Sequence, residues 1–219
     1  MPSGRLTALQ ERVLVALAPL EPRWTLTGGG ALVGFHLGHR TTRDLDLFWH
    51  GRAELGELGR EVRRRLESAK IGAESLQASP AFERLRLRAD DEELIIDLVA
   101  EPVAVVDPPT EIQFHSTRIL VDTKHEILVN KLCTLLHRRE LRDLLDIREL
   151  LASGAELQVA LLDAPRKDGG FSPLMAAWTL EGMNLRELGA VAALTPQACD
   201  ELERFRRELM RLLTEAARP

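Results

Sequence analysis

Residues 24–49, WTLTGGGALVGFHLGHRTTRDLDLFW, constrain this chain more than any other stretch, because a glycine cluster is followed by two aspartates one residue apart. Side chains alternate between the faces of a strand, so Asp44 and Asp46 share one face while Leu45 and Leu47 point into a core. Two carboxylates on one face repel each other unless a cation lies between them. Hard oxygen donors of this kind favour Mg²⁺, which keeps several waters and takes substrate phosphates as further ligands. Upstream, Gly28, Gly29 and Gly30 stand between a short apolar strand at 24–26 and an apolar helix-like run at 31–37. A strand, a glycine turn and a helix N-terminus together offer backbone N–H groups to a phosphate. Glycines alone serve any tight turn. Paired with the aspartates, they point to nucleotidyl transfer.

The rest of the chain bounds that reading. Its 219 residues, 45% of them apolar, suffice for one large domain or two small ones. A net charge of −5 argues against a broadly basic nucleic-acid coat, though not against a local basic patch. Cys133 and Cys199 lie far apart without metal-ligand spacing and read as reduced thiols, as expected of a cytoplasmic protein. No apolar run approaches the ~20 residues of a membrane span, and the first ten residues lack the apolar stretch of a signal peptide.

Leu6, Leu9, Val13, Leu17 and Leu20 recur at helical spacing and predict a helix over 5–20, stopped by Pro22. Residues 52–69 predict a charged amphipathic helix. Period-two patterning follows, with Phe82, Leu85 and Leu87 in one run and a short apolar strand at 93–99. Pro102, Pro108 and Pro109 mark a loop at 101–110, and 111–121 can add further strand. From Lys124 onward the pattern is helical, broken at Lys167, Asp168, Gly169 and Gly170. The expectation is an α+β chain, with a mixed sheet flanked by helices in 1–122 and a helical domain in 123–219.

Asp97 lies inside the run LIIDLVA, where an unpaired carboxylate would cost several kcal/mol of desolvation, so it needs either a metal or an ion-pair partner. Lys131, Arg138, Arg142 and Asp146 fall within about 60° on one ideal helix of ~3.6 residues per turn, provided the helix does not bend near 137–140. Such a basic stripe can bind nucleotide phosphates, with Lys131 the best candidate for the β- and γ-phosphates. The alternative is a solvated face of intrahelical ion pairs. Arg40 can steady its loop or touch phosphate, or pair with an aspartate. The histidines show no metal-ligand spacing, and Trp24, Trp49 and Trp178 read as core residues.

Three runs carry a family resemblance: Gly28-Gly29-Gly30-Ala31-Leu32, Gly38-His39-Arg40-Thr41-Thr42 and Asp44-Leu45-Asp46-Leu47-Phe48. Together they resemble the signature of the AbiEii/AbiGii toxin type of nucleotidyltransferase, within the polymerase-β-like superfamily, written roughly GG-[TS]-AL and HR-x-[ST]-x-D-[LIF]-D. Gly30 departs from it, since the family more often has a hydroxyl residue there. The stretch from Asn130 to Asp146, with Lys131, Arg138, Arg142 and Asp143, resembles a second family motif, roughly NKL-x-AL-x-x-R-x-x-x-RD-x-x-D.

The resemblance implies a nucleotidyltransferase-type sheet and transfer of an NMP from an NTP to an acceptor hydroxyl. Asp44, Asp46 and Asp97 would be the ligands of Mg²⁺, with Mn²⁺ as the alternative ion. Gly28, Gly29, Gly30, Arg40, Lys131, Arg138 and Arg142 would bind the nucleotide, and Asp143 would orient Lys131 or join the acceptor chemistry. It further implies a toxin of a toxin–antitoxin pair, with a cognate antitoxin and tRNA or another RNA as acceptor. A small-molecule nucleotidyltransferase of the antibiotic-modifying kind, and a member that binds nucleotide or a partner without turnover, remain the alternatives.

Overall fold

The computed structural model describes residues 6–218, which divide into two compact units with the boundary between Ile127 and Leu128. Arg5, where the first helix is expected to begin, lies outside the described residues.

In the first unit, helix α1 (Ala8–Leu17) starts at a capping box: the Thr7 side chain accepts from the Gln10 N–H, and the Gln10 side chain accepts from the Thr7 N–H. Its apolar stripe of Leu9, Val13 and Leu17 is buried. Strand β1 (Thr25–Thr27) runs into a short helical turn, α2 (Gly28–Ala31), continued by a π-helical turn at Leu32–His36. Strand β2 (Asp44–His50) alternates as its sequence dictates, with Leu45, Leu47 and Trp49 buried. Helix α3 (Leu58–Ser68) begins later than the expected residue 52, because Gly51 and Gly56 adopt left-handed φ values of 73° and 57° that belong to turns.

The remaining strands are β3 (Gly72–Ser79), β4 (Phe82–Ala89), β5 (Glu92–Glu101), β6 (Thr110–Phe114) and β7 (Thr117–Val121). They join β1 and β2 in one sheet of order β3-β4-β5-β2-β1-β7-β6, so the aspartate-bearing strand is central. The sheet is mixed: β2 runs parallel to β5 and β1 to β7, while the other neighbours are antiparallel. One face is apolar, with Leu85, Leu87, Ile96 and Leu98 beside the β2 leucines. In β4 the residue that shares this face is Glu83, not Phe82, because alternation from Leu85 and Leu87 leads back to 83. Glu83 is buried there against Arg63 of α3.

Helix α4 (Lys124–Thr134) leads into the second unit, which is wholly helical. It contains α5 (Leu141–Ala152), α6 (Leu157–Lys167), α7 (Pro173–Glu181), α8 (Leu185–Val191) and α9 (Pro196–Ala216). Helix α9 packs on α7 and α8 through buried Leu202, Leu209 and Leu213. The breaker between α6 and α7 is closed by Asp168, whose carboxylate accepts from the Gly170 N–H at 2.9 Å. Trp24 and Trp49 are core residues, but Trp178 on α7 is 57% exposed, contrary to expectation. Among the described residues no helix is long and apolar enough to cross a membrane.

Candidate active site

Register across the centre of the sheet decides the geometry. Asp46 stands opposite Thr27 of β1 on one side and Asp97 of β5 on the other, and Asp97 stands opposite Arg84 of β4. Residues opposed across neighbouring strands project to the same face, so Thr27, Asp46, Asp97 and Arg84 form a row on the face away from the leucines. Asp44, two residues before Asp46, joins that face. The three carboxylates therefore share the middle of the sheet, not its edge.

The glycine turn meets this row. Gly28 has a φ of 59°, and a Cβ placed on it would lie 2.3 Å from Asp46 Oδ2. Only a glycine lets the backbone approach the carboxylate so closely. Gly28→Ala is therefore expected to lower stability by about 1–3 kcal/mol through strain and to displace the Asp46 side chain. Denaturant unfolding checks it, and an unchanged midpoint would refute the tight approach. A Cβ on Gly29 would meet Arg40 Nη2 and Thr42 Oγ1, both at 3.1 Å, so Arg40 backs this turn; its guanidinium donates to the Thr41 carbonyl at 2.9 Å. Gly30 faces inward, where a Cβ would come 2.8 Å from Leu45 and 3.1 Å from Leu26. The hydroxyl residue usual in the family would require the Leu45 and Leu26 side chains to shift.

Asp44 is held within the motif by Thr42, which is anchored in turn from outside it. Thr42 Oγ1 donates to Asp44 Oδ1 at 2.7 Å, and Gln10 Nε2, buried on α1, donates to the Thr42 carbonyl at 2.9 Å. The capping box of α1 thus fixes the loop that aims Asp44.

Asp97 has the partner its buried position demands. Arg84 donates to both its oxygens, at 2.8 and 2.6 Å, and the Arg84 guanidinium also lies 5.8 Å from the centre of the Phe82 ring. Hydrogen bonding to Asp97 outweighs partial desolvation and, with the charges of Asp97, Asp46 and Asp44, holds Arg84 protonated beyond its ordinary range. The donor set, three carboxylates on one face, suits an oxygen-preferring dication. The side chains are nevertheless not gathered around one point. Among the described residues no three Asp, Glu, His or Cys groups stand together so as to hold a metal ion.

Arg84 escaped the sequence reading, although a signal for it exists. Asp90 and Asp91, both with positive φ, form a two-residue hairpin turn between β4 and β5, and counting back from such a turn pairs 84 with 97.

In the helical unit, Lys131 donates to Asp143 Oδ1 at 2.7 Å and lies 2.8 Å from Asp146 Oδ2. Asp143 and Asp146 are fully buried and the Lys131 side chain is 8% exposed. Arg138 closes on Asp143 with two hydrogen bonds, at 2.7 and 3.0 Å. Burial opposes ionisation of Asp143, yet the Arg138 hydrogen bond and the Lys131 charge overcome it and hold its carboxyl below the usual range. Arg142 pairs with Glu140 at 2.5 Å. The helix is interrupted between Thr134 and Leu141, so the single ideal helix that aligns Arg142 with Lys131 does not exist.

The AbiEii nucleotidyl transferase toxin family of type IV toxin–antitoxin systems matches residues 12–215, which takes in both aspartate-bearing strands and the Lys131 cluster. The chain belongs to that family. Solved structures agree with the AbiEii fold. The nucleotidyltransferase toxin MenT4 of Mycobacterium tuberculosis H37Rv superposes with a TM-score of 0.57 at 19% identity, covering 96% of this chain and 91% of that one. JHP933 of Helicobacter pylori does so with a TM-score of 0.51 at 21% identity, covering 94% and 91%. A comparison with curated proteins finds no match. The chain is accordingly a nucleotidyltransferase of the AbiEii toxin type, with the mixed sheet and helical C-terminal region of that fold.

Proposed function

We propose that this AbiEii member is a Mg²⁺-dependent enzyme that transfers an NMP from an NTP to a hydroxyl of RNA, with tRNA the favoured acceptor. The acceptor oxygen forms a bond to the α-phosphorus, the bond from that phosphorus to the bridging oxygen breaks, and pyrophosphate leaves. The carrying observation is the row of Asp46 and Asp97 on one face, with Gly28 packed directly against Asp46. A turn that brings backbone N–H groups beside a carboxylate pair suits a triphosphate arriving with its metal.

Asp44 and Asp46 hold Mg²⁺ in this reading, and the ion, or Mn²⁺ in its place, supplies charge neutralisation at the transferring phosphoryl group. Asp97 takes the proton of the acceptor hydroxyl. Gly28 and Gly29 cradle the triphosphate, with Arg40 behind them. Gly30 contributes by allowing the turn to sink onto Leu26 and Leu45. Residues 1–122 form the nucleotide-handling domain and 123–219 a helical domain. In the latter, Arg138, 40% exposed, is the more accessible candidate phosphate ligand, while Lys131 is enclosed by its two carboxylates. The proposed setting is the cytoplasm, where NTPs and RNA occur together, under control of a cognate antitoxin.

Incubation with each NTP labelled at the α-phosphate, in the presence of total RNA, tests this. Label is expected in RNA. Label confined to small-molecule acceptors would make the protein an antibiotic-type transferase, and no label from any NTP would overturn the reading.

A further inference from the structure

The residue that stands against a ready-made metal site is Arg84. Both oxygens of Asp97 are engaged by its guanidinium, and those are the oxygens a third metal ligand would have to offer. The pair is asymmetric in its access to solvent: the Arg84 side chain is 45% exposed, that of Asp97 only 13%. The guanidinium is therefore the partner able to move. Its planar fork matches a phosphate as well as it matches a carboxylate. It also stands in the same row as Asp46, one strand beyond Asp97, on the face the triphosphate would approach.

We propose that Arg84 is an exchangeable counter-cation: without nucleotide it holds Asp97 away from the metal, and when an NTP arrives with its metal the guanidinium passes to the triphosphate and releases Asp97. The inference rests on the metal-dependent reading above. A dication arriving alone must compete with a doubly hydrogen-bonded ion pair, so it binds weakly. A dication arriving with a triphosphate brings the anion that takes the guanidinium away. Metal and nucleotide then bind with positive coupling, and each strengthens the other by the same factor. Arg84 is a positioning residue in the resting site and a phosphate ligand in the loaded one.

Binding of Mn²⁺ to the 219-residue chain, followed by its electron paramagnetic resonance signal, reads this without turnover. Mn²⁺ shares the oxygen-ligand preference of Mg²⁺. Titrations are made with and without an NTP analogue whose α–β bridge cannot be cleaved. Arg84→Gln is expected to bind Mn²⁺ alone about 10-fold more tightly than the native protein, since one charge-assisted bidentate pair no longer competes. It is also expected to lose most of the gain that the analogue confers on the native protein. Arg84→Lys, which keeps the charge but not the fork, is expected to fall between the two.

Asp46→Asn separates this inference from the reading beneath it. If Asp46→Asn loses Mn²⁺ while Arg84→Gln binds it no better than the native protein, the counter-cation role is overturned and the metal site stands. If Asp46→Asn binds Mn²⁺ as the native protein does, both fall. Should Arg84→Gln fail to fold by circular dichroism, Arg84→Lys decides, and an affinity equal to the native one overturns the proposal.

Discussion

Asp46→Asn is expected to reduce nucleotidyl transfer by at least about 10³-fold, because it removes one of the two carboxylates on β2 proposed to hold the metal of the substrate complex. Loss of groups that merely support metal ligands costs ~10–100-fold, and a ligand itself should cost more. Stability should hold or rise. Asp44, Asp46 and Asp97 are like charges on one face, and neutralising the central one relieves their repulsion. Calorimetric titration of NTP with and without Mg²⁺, on the native protein and the variant, distinguishes this from a strand-end pair with no ligand role. Weakened binding of Mg·NTP in the variant is expected, with little change in metal-free binding. Equal affinities in all four titrations would defeat the metal assignment, and a fall in stability comparable to a core mutation would return Asp46 to a structural role.

Lys131→Ala is expected to destabilise the protein by about 3–5 kcal/mol, a magnitude set by removing the ammonium that two buried carboxylates share. Of the two, Asp143 retains Arg138, while Asp146 loses its 2.8 Å ammonium contact inside a fully buried setting. Denaturant unfolding gives the magnitude. A loss below about 1 kcal/mol would show that the cluster is not a structural clasp and would restore Lys131 as a lysine held for phosphate. The transfer rate belongs in the same experiment, measured on folded protein. If Lys131 neutralises charge on the leaving pyrophosphate, a further loss of roughly 10²-fold accompanies the instability. If turnover per folded molecule is unchanged, the lysine acts only through the fold.

These expectations separate what the sequence carries from what it does not. The period-two alternation of DLDLFW assigns Asp44 and Asp46 to one face and Leu45, Leu47 and Trp49 to the other, and the sheet has them so. The glycine turn, the apolar strand around Asp97, the helical character after Lys124 and the breaker at Asp168–Gly170 are all local signals, each set within a few residues by backbone permissiveness or apolar spacing. Family membership was legible for the same reason, since its motifs are contiguous. Short-range pattern left matters open where a distant partner decides. The run holding Phe82, Leu85 and Leu87 is strand β4, and its parity puts Glu83 on the buried face, where Arg63 of α3 makes its burial tolerable. The stripe through Lys131, Arg138 and Arg142 was conditional on a helix unbent near 137–140, and the interruption between Thr134 and Leu141 removes that condition, with Arg142 paired to Glu140.

By itself, then, the sequence determined which residue types stand in which local geometry: two carboxylates on one strand face, a glycine turn before them, a third aspartate in an apolar strand, and a lysine three turns upstream of a further acidic pair. Tertiary structure alone decided which of these meet. The parallel register of β2 on β5 sets Asp46 opposite Asp97, and a φ of 59° at Gly28 lets the turn close on Asp46. The antiparallel register of β4 hands Asp97 to Arg84, and the break between α4 and α5 folds Lys131 inward between Asp143 and Asp146. The last two share a physical reason. A buried charge must find its counter-charge wherever the packed backbone brings one within about 3 Å, and that distance is set by strand register and helix breaks, which no single stretch of sequence contains.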